Sequence, residues 1–376
     1  MAGRRPEISV RRAAHLVLYW GAAGLVVHDY ADGTLTAATP EICAALDFCA
    51  EWRRVPEIAA DLNVTAPMAA QLVRALVARG LLIRSDRAET PAHIRMHAWD
   101  AWNPAAGLFH DVTRRVRFLA PQTATRFMKR RLVETPPPPP VKRVRGSPTL
   151  SLPAPNAAGE FAHVLLSRRT WRRFGSGDVS LGQLATTLGL ALGVQRWVTT
   201  PYGRVPLKTS PSGGARHPIE AYVCVRRVSG VRAGLYHYAS DAHLLERLRG
   251  GDLTSRLHQW MPNSASFTRA AFVVIFTAVL ERELWRYPYA RAYRAALAEA
   301  GHVCQTFCLT ATWLGLAPFC LMGLDDAAIE QDLGVDGVRE TVVYAAGAGA
   351  RPRGAASAPR RRGHLASVPN PAFTDL

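Results

Sequence analysis

Ser167-Arg168-Arg169-Thr170-Trp171-Arg172-Arg173-Phe174 and, further on, Thr209-Ser210-Pro211-Ser212-Gly213-Gly214-Ala215-Arg216-His217-Pro218 decide how the rest of this chain is read. The first puts four arginines into six positions at the end of a helical run. Guanidinium forks bind phosphate bidentately and never lose their charge, so the stretch suits a polyanion. Taken alone, its ordinary reading is a solvated basic face. The second stretch precedes an apolar run. Its glycines and serines let backbone approach a flat ligand closely, although many plain turns look the same. Two further places matter. Leu321-Met322-Gly323 follows a long apolar run that ends at Gly315-Leu316-Ala317-Pro318, where a plain helix-to-loop exit is the simpler reading. Ala346-Gly347-Ala348-Gly349-Ala350-Arg351-Pro352-Arg353 places arginines where a phosphate could be met or a basic tail could begin.

Outward from these stretches, helical and strand-like runs alternate. Residues 159–169 and 181–193 read as helices and 289–316 as a long one. Residues 219–225 and 235–238 read as strands, the unbroken apolar run 271–279 as a buried strand, and 340–346 as the last strand. The pattern is α+β, with helices gathered on a central sheet.

In this order and spacing the four stretches resemble the nitroreductase superfamily, and within it the SagB-type (ThcOx-like) azoline dehydrogenases. The likeness is carried by Ser-Arg-Arg-Thr-x-Arg-x-Phe, by Ser-Pro-Ser-Gly-Gly-Ala-x-His-Pro-x-Glu ending at Glu220, and by Tyr293-Arg294 with Glu299-Ala300-Gly301-His302. It covers roughly residues 160–350, with weaker echoes from Trp102 to Arg115. The resemblance implies a nitroreductase-like FMN-binding fold. It also implies oxidation of thiazolines and oxazolines in ribosomally made peptides to thiazoles and oxazoles. By the same resemblance, Arg168, Arg169, Thr170 and Arg172 hold the ribityl chain and phosphate of FMN. Pro211, Ser212, Gly213 and Gly214 lie along the isoalloxazine, Met322 and Gly323 near its edge, and Arg351, less surely Arg353, at the phosphate. A homodimer with FMN at the subunit interface is implied as well.

One place departs from the family pattern. Where a Lys-Tyr pair is common near the substrate, this chain reads Trp285-Arg286-Tyr287. Arginine cannot act as a base at neutral pH. Arg286 is therefore expected to orient substrate and Tyr287 to move the proton, with Lys208 as the second candidate. A packing aromatic is the ordinary reading of Tyr287. No G-x-G-x-x-G fingerprint follows a strand, so FMN is expected rather than FAD, and oxygen rather than a bound nicotinamide as acceptor. Two other readings of the chain stay open. One is an NAD(P)H-dependent nitroreductase-like enzyme acting on a small molecule. The other is a non-catalytic scaffold of a peptide-modifying complex.

The residues before this region divide further. Residues 8–85 read as a winged-helix-like unit within a first domain of 1–90: two strand-like runs around Gly21 and Gly24, a third strand at 34–37, then three helices and a returning strand. Thr39-Pro40-Glu41 and Thr65 mark helix starts, and Gly80 marks a stop. The last helix carries Met68, Ala69, Ala70, Leu72 and Val73, a poor surface for reading bases. The pattern resembles PqqD-like leader-peptide recognition domains. Residues 91–150 are expected to be a connector with an aromatic patch from Trp99 to His110, His110 being a packed histidine. The connector ends in the polyproline run 136–140, a semi-rigid spacer. The FMN domain spans 151–353, and 354–376 reads as a basic flexible tail.

The chain has 376 residues, 48% hydrophobic and 20% charged, enough for a core and unlike a disordered chain. The formal net charge of +17 suits an anionic cofactor or an acidic leader peptide, although an arginine-rich genome accounts for much of it. Nucleic acid and membrane are not expected partners, whereas a precursor peptide and a cyclodehydratase are. Six scattered cysteines show no zinc spacing. Cys304 and Cys308, one helical turn apart, read as packing, and no metal site is expected. A reduced, cytoplasmic setting fits. The apolar run after Arg11-Arg12 resembles a signal-peptide core, but His15, Tyr19 and Trp20 interrupt it and a β-hairpin is the better reading.

Overall fold

The computed structural model describes residues 8–115, 119–134, 158–201 and 203–354. The polyproline run and the tail beyond Gly354 lie outside them. Among the described residues the chain forms two compact units. The first draws on Met1–Val116, Leu280–Arg294 and Val335–Thr341, the second on Arg117–Val279, Ala295–Gly334 and Val342–Leu376.

In the first unit, Leu16–Gly21, Gly24–Asp29 and Thr34–Ala37 form an antiparallel meander. Gly24 (φ +128) and Gly33 (φ +81) turn it, a conformation that favours glycine. Three helices follow: Pro40–Phe48, Val55–Asp61 and Ala66–Ala78. Thr39 and Thr65 accept from the Ile42 and Met68 amides as expected of N-caps. A strand not foreseen from the sequence, Ser9–Arg12, pairs with Arg53–Arg54 on one side and Leu82–Arg84 on the other. Its alternation is too short to read locally. The core behind these elements includes Val10, Val27, Leu46, Ile58, Leu76 and Leu81.

The segment expected to be a connector is largely helical: Pro91–Met96, Pro104–Arg114 and Pro121–Glu134. Thr90 and Asn103 cap the first two ahead of a proline. The aromatic patch is packed. Trp99 and Trp102 are buried. The Trp99 indole donates to the Val338 carbonyl (3.0 Å), and His110 bonds the Tyr293 hydroxyl (2.9 Å) and the Gly337 carbonyl (2.7 Å).

The second unit is built on a six-stranded sheet. Its order is Leu244–Gly250, Gly234–Ala239, Ile219–Val225, Phe272–Val279, Glu340–Ala350, Leu316–Leu321. Ile219–Val225 runs antiparallel to both its neighbours, with Ile219 opposite Ala278 and Val225 opposite Phe272. Seven of the eight residues of Phe272–Val279 are buried, as a strand covered on both faces requires.

Two boundaries differ from the sequence reading in a way that shapes the site. The long helix is Ala292–Trp313, and after Gly315 (φ +74) the chain becomes the strand Leu316–Leu321 instead of a loop. The last strand runs on to Ala350, pairing Leu316 with Ala350 and Leu321 with Ala345. The glycines in that extension are required by packing. A Cβ on Gly347 would lie 2.5 Å from the Phe319 ring, and one on Gly349 would lie 2.9 Å from Phe174.

Candidate functional site

The arginine stretch sits where the two last-named strands end. Helix Glu160–Ser167 stops at Arg168, which takes an extended backbone (φ −60, ψ 125). The chain then runs across the strand ends. The Trp171 amide donates to the Pro318 carbonyl (2.9 Å), and the Gly175 amide donates to the Ala350 carbonyl (2.8 Å). Arg351 follows directly after that strand. Its Nε donates to the Leu316 carbonyl and its Nη2 to the Thr312 carbonyl, both at 3.1 Å, and its guanidinium lies 5.8 Å from the Trp171 ring centroid. The segment that carries Arg168, Arg169 and Thr170 is thereby brought, through Trp171, beside Arg351, far off in sequence.

Charge there is one-sided. Arg169 spends Nη1 on the Leu166 and Arg168 carbonyls, both at 2.8 Å. Among the described residues no carboxylate meets Arg168, Arg169 or Arg351. Burial pulls the Arg351 guanidinium down from its usual value. An anion with several acceptor oxygens is the natural complement of such a group. Arg172 is exposed on the same stretch.

The glycine loop is held by hydrogen bonds at both ends. Thr209 Oγ1 donates to the Leu190 carbonyl (2.6 Å), and the buried Ser210 hydroxyl meets Thr306 on the long helix (3.3 Å). The His217 amide donates to Ser212 Oγ (2.8 Å). Within the loop Gly214 (φ +56), Ala215 (φ +53) and His217 (φ +46) all take the left-handed conformation. Two of them are not glycines, a costly arrangement that persists only when the surroundings enforce it. Beside the Ser212 bonds, His217 is held by a buried pair, Nδ1 to Glu299 Oε1 at 3.4 Å. Both residues lie in the motifs that carried the resemblance, although neither received a role from the sequence.

Met322 and Gly323 lie just past strand Leu316–Leu321, where the Leu324 amide turns back onto the Met322 carbonyl (2.9 Å). Met322 is 69% exposed. Lys208 donates to Ser240 Oγ (3.2 Å). Arg286 and Tyr287 belong to the first unit, at the end of helix Leu280–Arg286. The Tyr287 amide bonds the Glu283 carbonyl (2.7 Å), its own carbonyl faces the Trp102 indole nitrogen (3.5 Å), and the Arg286 guanidinium lies 5.7 Å from its ring. Every cofactor candidate thus falls in one unit, and two of the three catalytic candidates in the other.

The sequence reading also missed a convergence of thiols. Cys304 and Cys308, on adjacent turns of the long helix, meet Cys320 of strand Leu316–Leu321, their sulfurs within 4.8 Å of one another. Contacts from the other two thiols pull the Cys320 thiol well below its ordinary value, and the nearby Arg168 guanidinium adds to this. The signal was unreadable because the strand itself was not recognised.

Comparison with known proteins places these features in a common frame. The model of the nitroreductase family matches residues 165–350. MJ1384 of Methanocaldococcus jannaschii, whose name classes it with the nitroreductases, is 34% identical over 170 residues, covering 45% of this chain and 82% of that protein. The trifolitoxin-processing protein TfxB of Rhizobium leguminosarum bv. trifolii is 32% identical over 142 residues, covering 37% of this chain and 38% of TfxB. Among solved structures, a chain of the Escherichia coli microcin synthetase McbBCD complex with truncated pro-MccB17 bound has a TM-score of 0.52 at 20% identity. It covers 68% of this chain and 96% of that one.

Proposed function

Because this chain belongs to the nitroreductase family, we propose that it is an FMN-dependent dehydrogenase that oxidises azolines to azoles in a ribosomally made peptide. The observation that carries the reading is the placement of Arg168, Arg169 and Arg351 on two segments that meet at Trp171, the first two inside the matched region, with no carboxylate on any of the three among the described residues. These residues would hold the phosphate of FMN, with Thr170 and Arg172 beside them. Pro211, Ser212, Gly213 and Gly214 would lie along the flavin ring, and Met322 and Gly323 near its edge. When bound, FMN supplies a two-electron acceptor. The chain supplies position, charge and proton transfer, the last by Tyr287 with Arg286 orienting the substrate and Lys208 in reserve.

A peptide substrate is supported by the likeness to TfxB, a protein that processes trifolitoxin. The first unit offers a further reason. It is a small sheet-and-helix body whose meander presents an 80% exposed Trp20 on an edge strand, a surface to which an extended peptide could add. An acidic leader would suit the net charge. A homodimer and a complex with a cyclodehydratase complete the proposal. No helix among the described residues is long and apolar enough to cross a membrane.

The test is native purification followed by release of the cofactor by heat and its identification by mass. Single-turnover mixing of the oxidised protein with an azoline peptide should then bleach the flavin as azole appears. FAD or no flavin refutes the cofactor reading. Flavin that is reduced by NADPH and not by azoline peptide refutes the substrate reading in favour of a small-molecule reductase. A colourless protein that still binds modifying enzymes would be a scaffold.

A further inference from the structure

His15, His97 and Asp100 meet in the first unit, each offering a ligand atom within 4.8 Å of the others. His97 and Asp100 are three residues apart on one helical turn, φ/ψ −57/−23 and −57/−27, so their side chains share a face. His15 approaches from just before strand Leu16–Gly21. Its Nε2 lies 3.5 Å from Asp100 Oδ1, and His97 Nδ1 lies 3.1 Å from Asp100 Oδ2. The two imidazoles stand edge to face, centroids 5.2 Å apart.

One buried group among them lacks a partner. His97 Nε2 is 2.6 Å from Glu89 Oε2, and its Nδ1 faces Asp100. The His15 ring is 4% exposed, and neither of its buried nitrogens makes a hydrogen bond. A cation bound by Asp100, His97 Nδ1 and His15 Nε2 gives the buried imidazole a partner. The Glu89–His97 contact is then the carboxylate that orients a metal-bound histidine through its other nitrogen.

We propose that His15, His97 and Asp100 bind a zinc ion, with water in the fourth position. Tetrahedral zinc with ligands near 2.0–2.1 Å sets its donor atoms about 3.3 Å apart. The three candidate ligand atoms lie within 4.8 Å of one another, close enough for small side-chain adjustments to reach that spacing. Two imidazoles and one carboxylate form a donor set that zinc favours over calcium or magnesium. Asp100 and His97 are exposed, at 60% and 40% of their side chains, so an ion can enter and keep a water. The site clips the start of the meander to the turn after helix Pro91–Met96, two parts of one unit. It was invisible in the sequence, since His15 stands far from the H-x-x-D pair.

Tag-free full-length protein, stripped with chelator and then dialysed against Zn2+, should retain one equivalent that Asp100→Asn and His15→Gln each remove. Zn2+ should raise the melting temperature of the unmodified chain and not of the variants. Asp100 is exposed, so its variant is expected to fold, and circular dichroism checks this. Co2+ in place of zinc should give weak visible bands without strong near-ultraviolet thiolate absorption. Retention of the same zinc by both variants, or a thiolate-dominated cobalt spectrum, overturns the proposal and moves the metal to Cys304, Cys308 and Cys320. Failure of the unmodified chain to hold zinc, or to be stabilised by it, overturns it outright.

Discussion

Replacing Arg168 and Arg351 separately by alanine should separate cofactor binding from folding. The Arg168 side chain makes no hydrogen bond to protein among the described residues. Its loss should therefore act on the anion alone. A charge-assisted contact is worth about 1.5–3 kcal/mol, and each 1.4 kcal/mol is tenfold in affinity. Arg168→Ala is thus expected to weaken FMN binding roughly 10- to 150-fold, with an unchanged melting temperature. Arg351 does two things. It donates to the Thr312 carbonyl, in the last turn of helix Ala292–Trp313, and to the Leu316 carbonyl where the next strand starts. Carbonyls at a helix end lack helical partners, and a cation there complements the helix dipole. Arg351→Ala should therefore cost about 2 kcal/mol of stability on top of its effect on FMN. For a unit of this size that is a fall of roughly 4–8 °C in melting temperature. The assay is titration of apo-protein with FMN by fluorescence quenching, beside thermal melts of the apo forms. Unchanged FMN affinity in Arg168→Ala would refute the phosphate site. An unchanged melt in apo Arg351→Ala would refute the capping role.

Tyr287→Phe should keep FMN and peptide binding and slow azole formation about 10²-fold or more, while Arg286→Lys is tolerated; flavin reduction at the unmodified rate in Tyr287→Phe would make that tyrosine packing and turn attention to Lys208. Trp20→Ala should weaken binding of the full precursor peptide, read by anisotropy, with flavin content unchanged. A direct deletion of residues 1–90 is a poorer test, because Asp29 of the meander holds His93 at 2.7 Å and His28 holds Asp111 at 3.0 Å, within the same unit but beyond the cut. Burial pushes His110 down to about 4, so the unfolded chain takes up its proton first. That contribution to stability is complete above about pH 6.5 and is lost as pH falls toward 4, about 3 kcal/mol in all. Urea midpoints from pH 7 to 4 should fall less steeply in His110→Gln, and equal slopes would refute the assignment.

The sequence by itself determined what local chemistry controls. Thr39-Pro40 and Thr65 start helices because a hydroxyl satisfies an orphan amide within four residues. Phe272–Val279 is legible because an unbroken apolar run fits a strand covered on both faces. The four motif stretches are legible because their arginines and glycines stand out in short contiguous runs of the chain. Tertiary structure alone decided the rest, because those features depend on partners far along the chain. Leu316–Leu321 looks like the tail of an apolar helix until the ladder with Ala345–Ala350 makes it a strand. That strand then delivers Cys320 to Cys304 and Cys308, and its first carbonyl engages Arg351. Left-handed Ala215 and His217 are held partly by local bonds to Ser212, while the buried Glu299 contact to His217 comes from the long helix. Arg286 and Tyr287 stand in line between the motifs that carry the resemblance, yet they fold with the first unit. His15 gains neighbours only when the meander and the helical turn at His97–Asp100 close on each other, since ligand spacing in space leaves no trace in spacing along the chain.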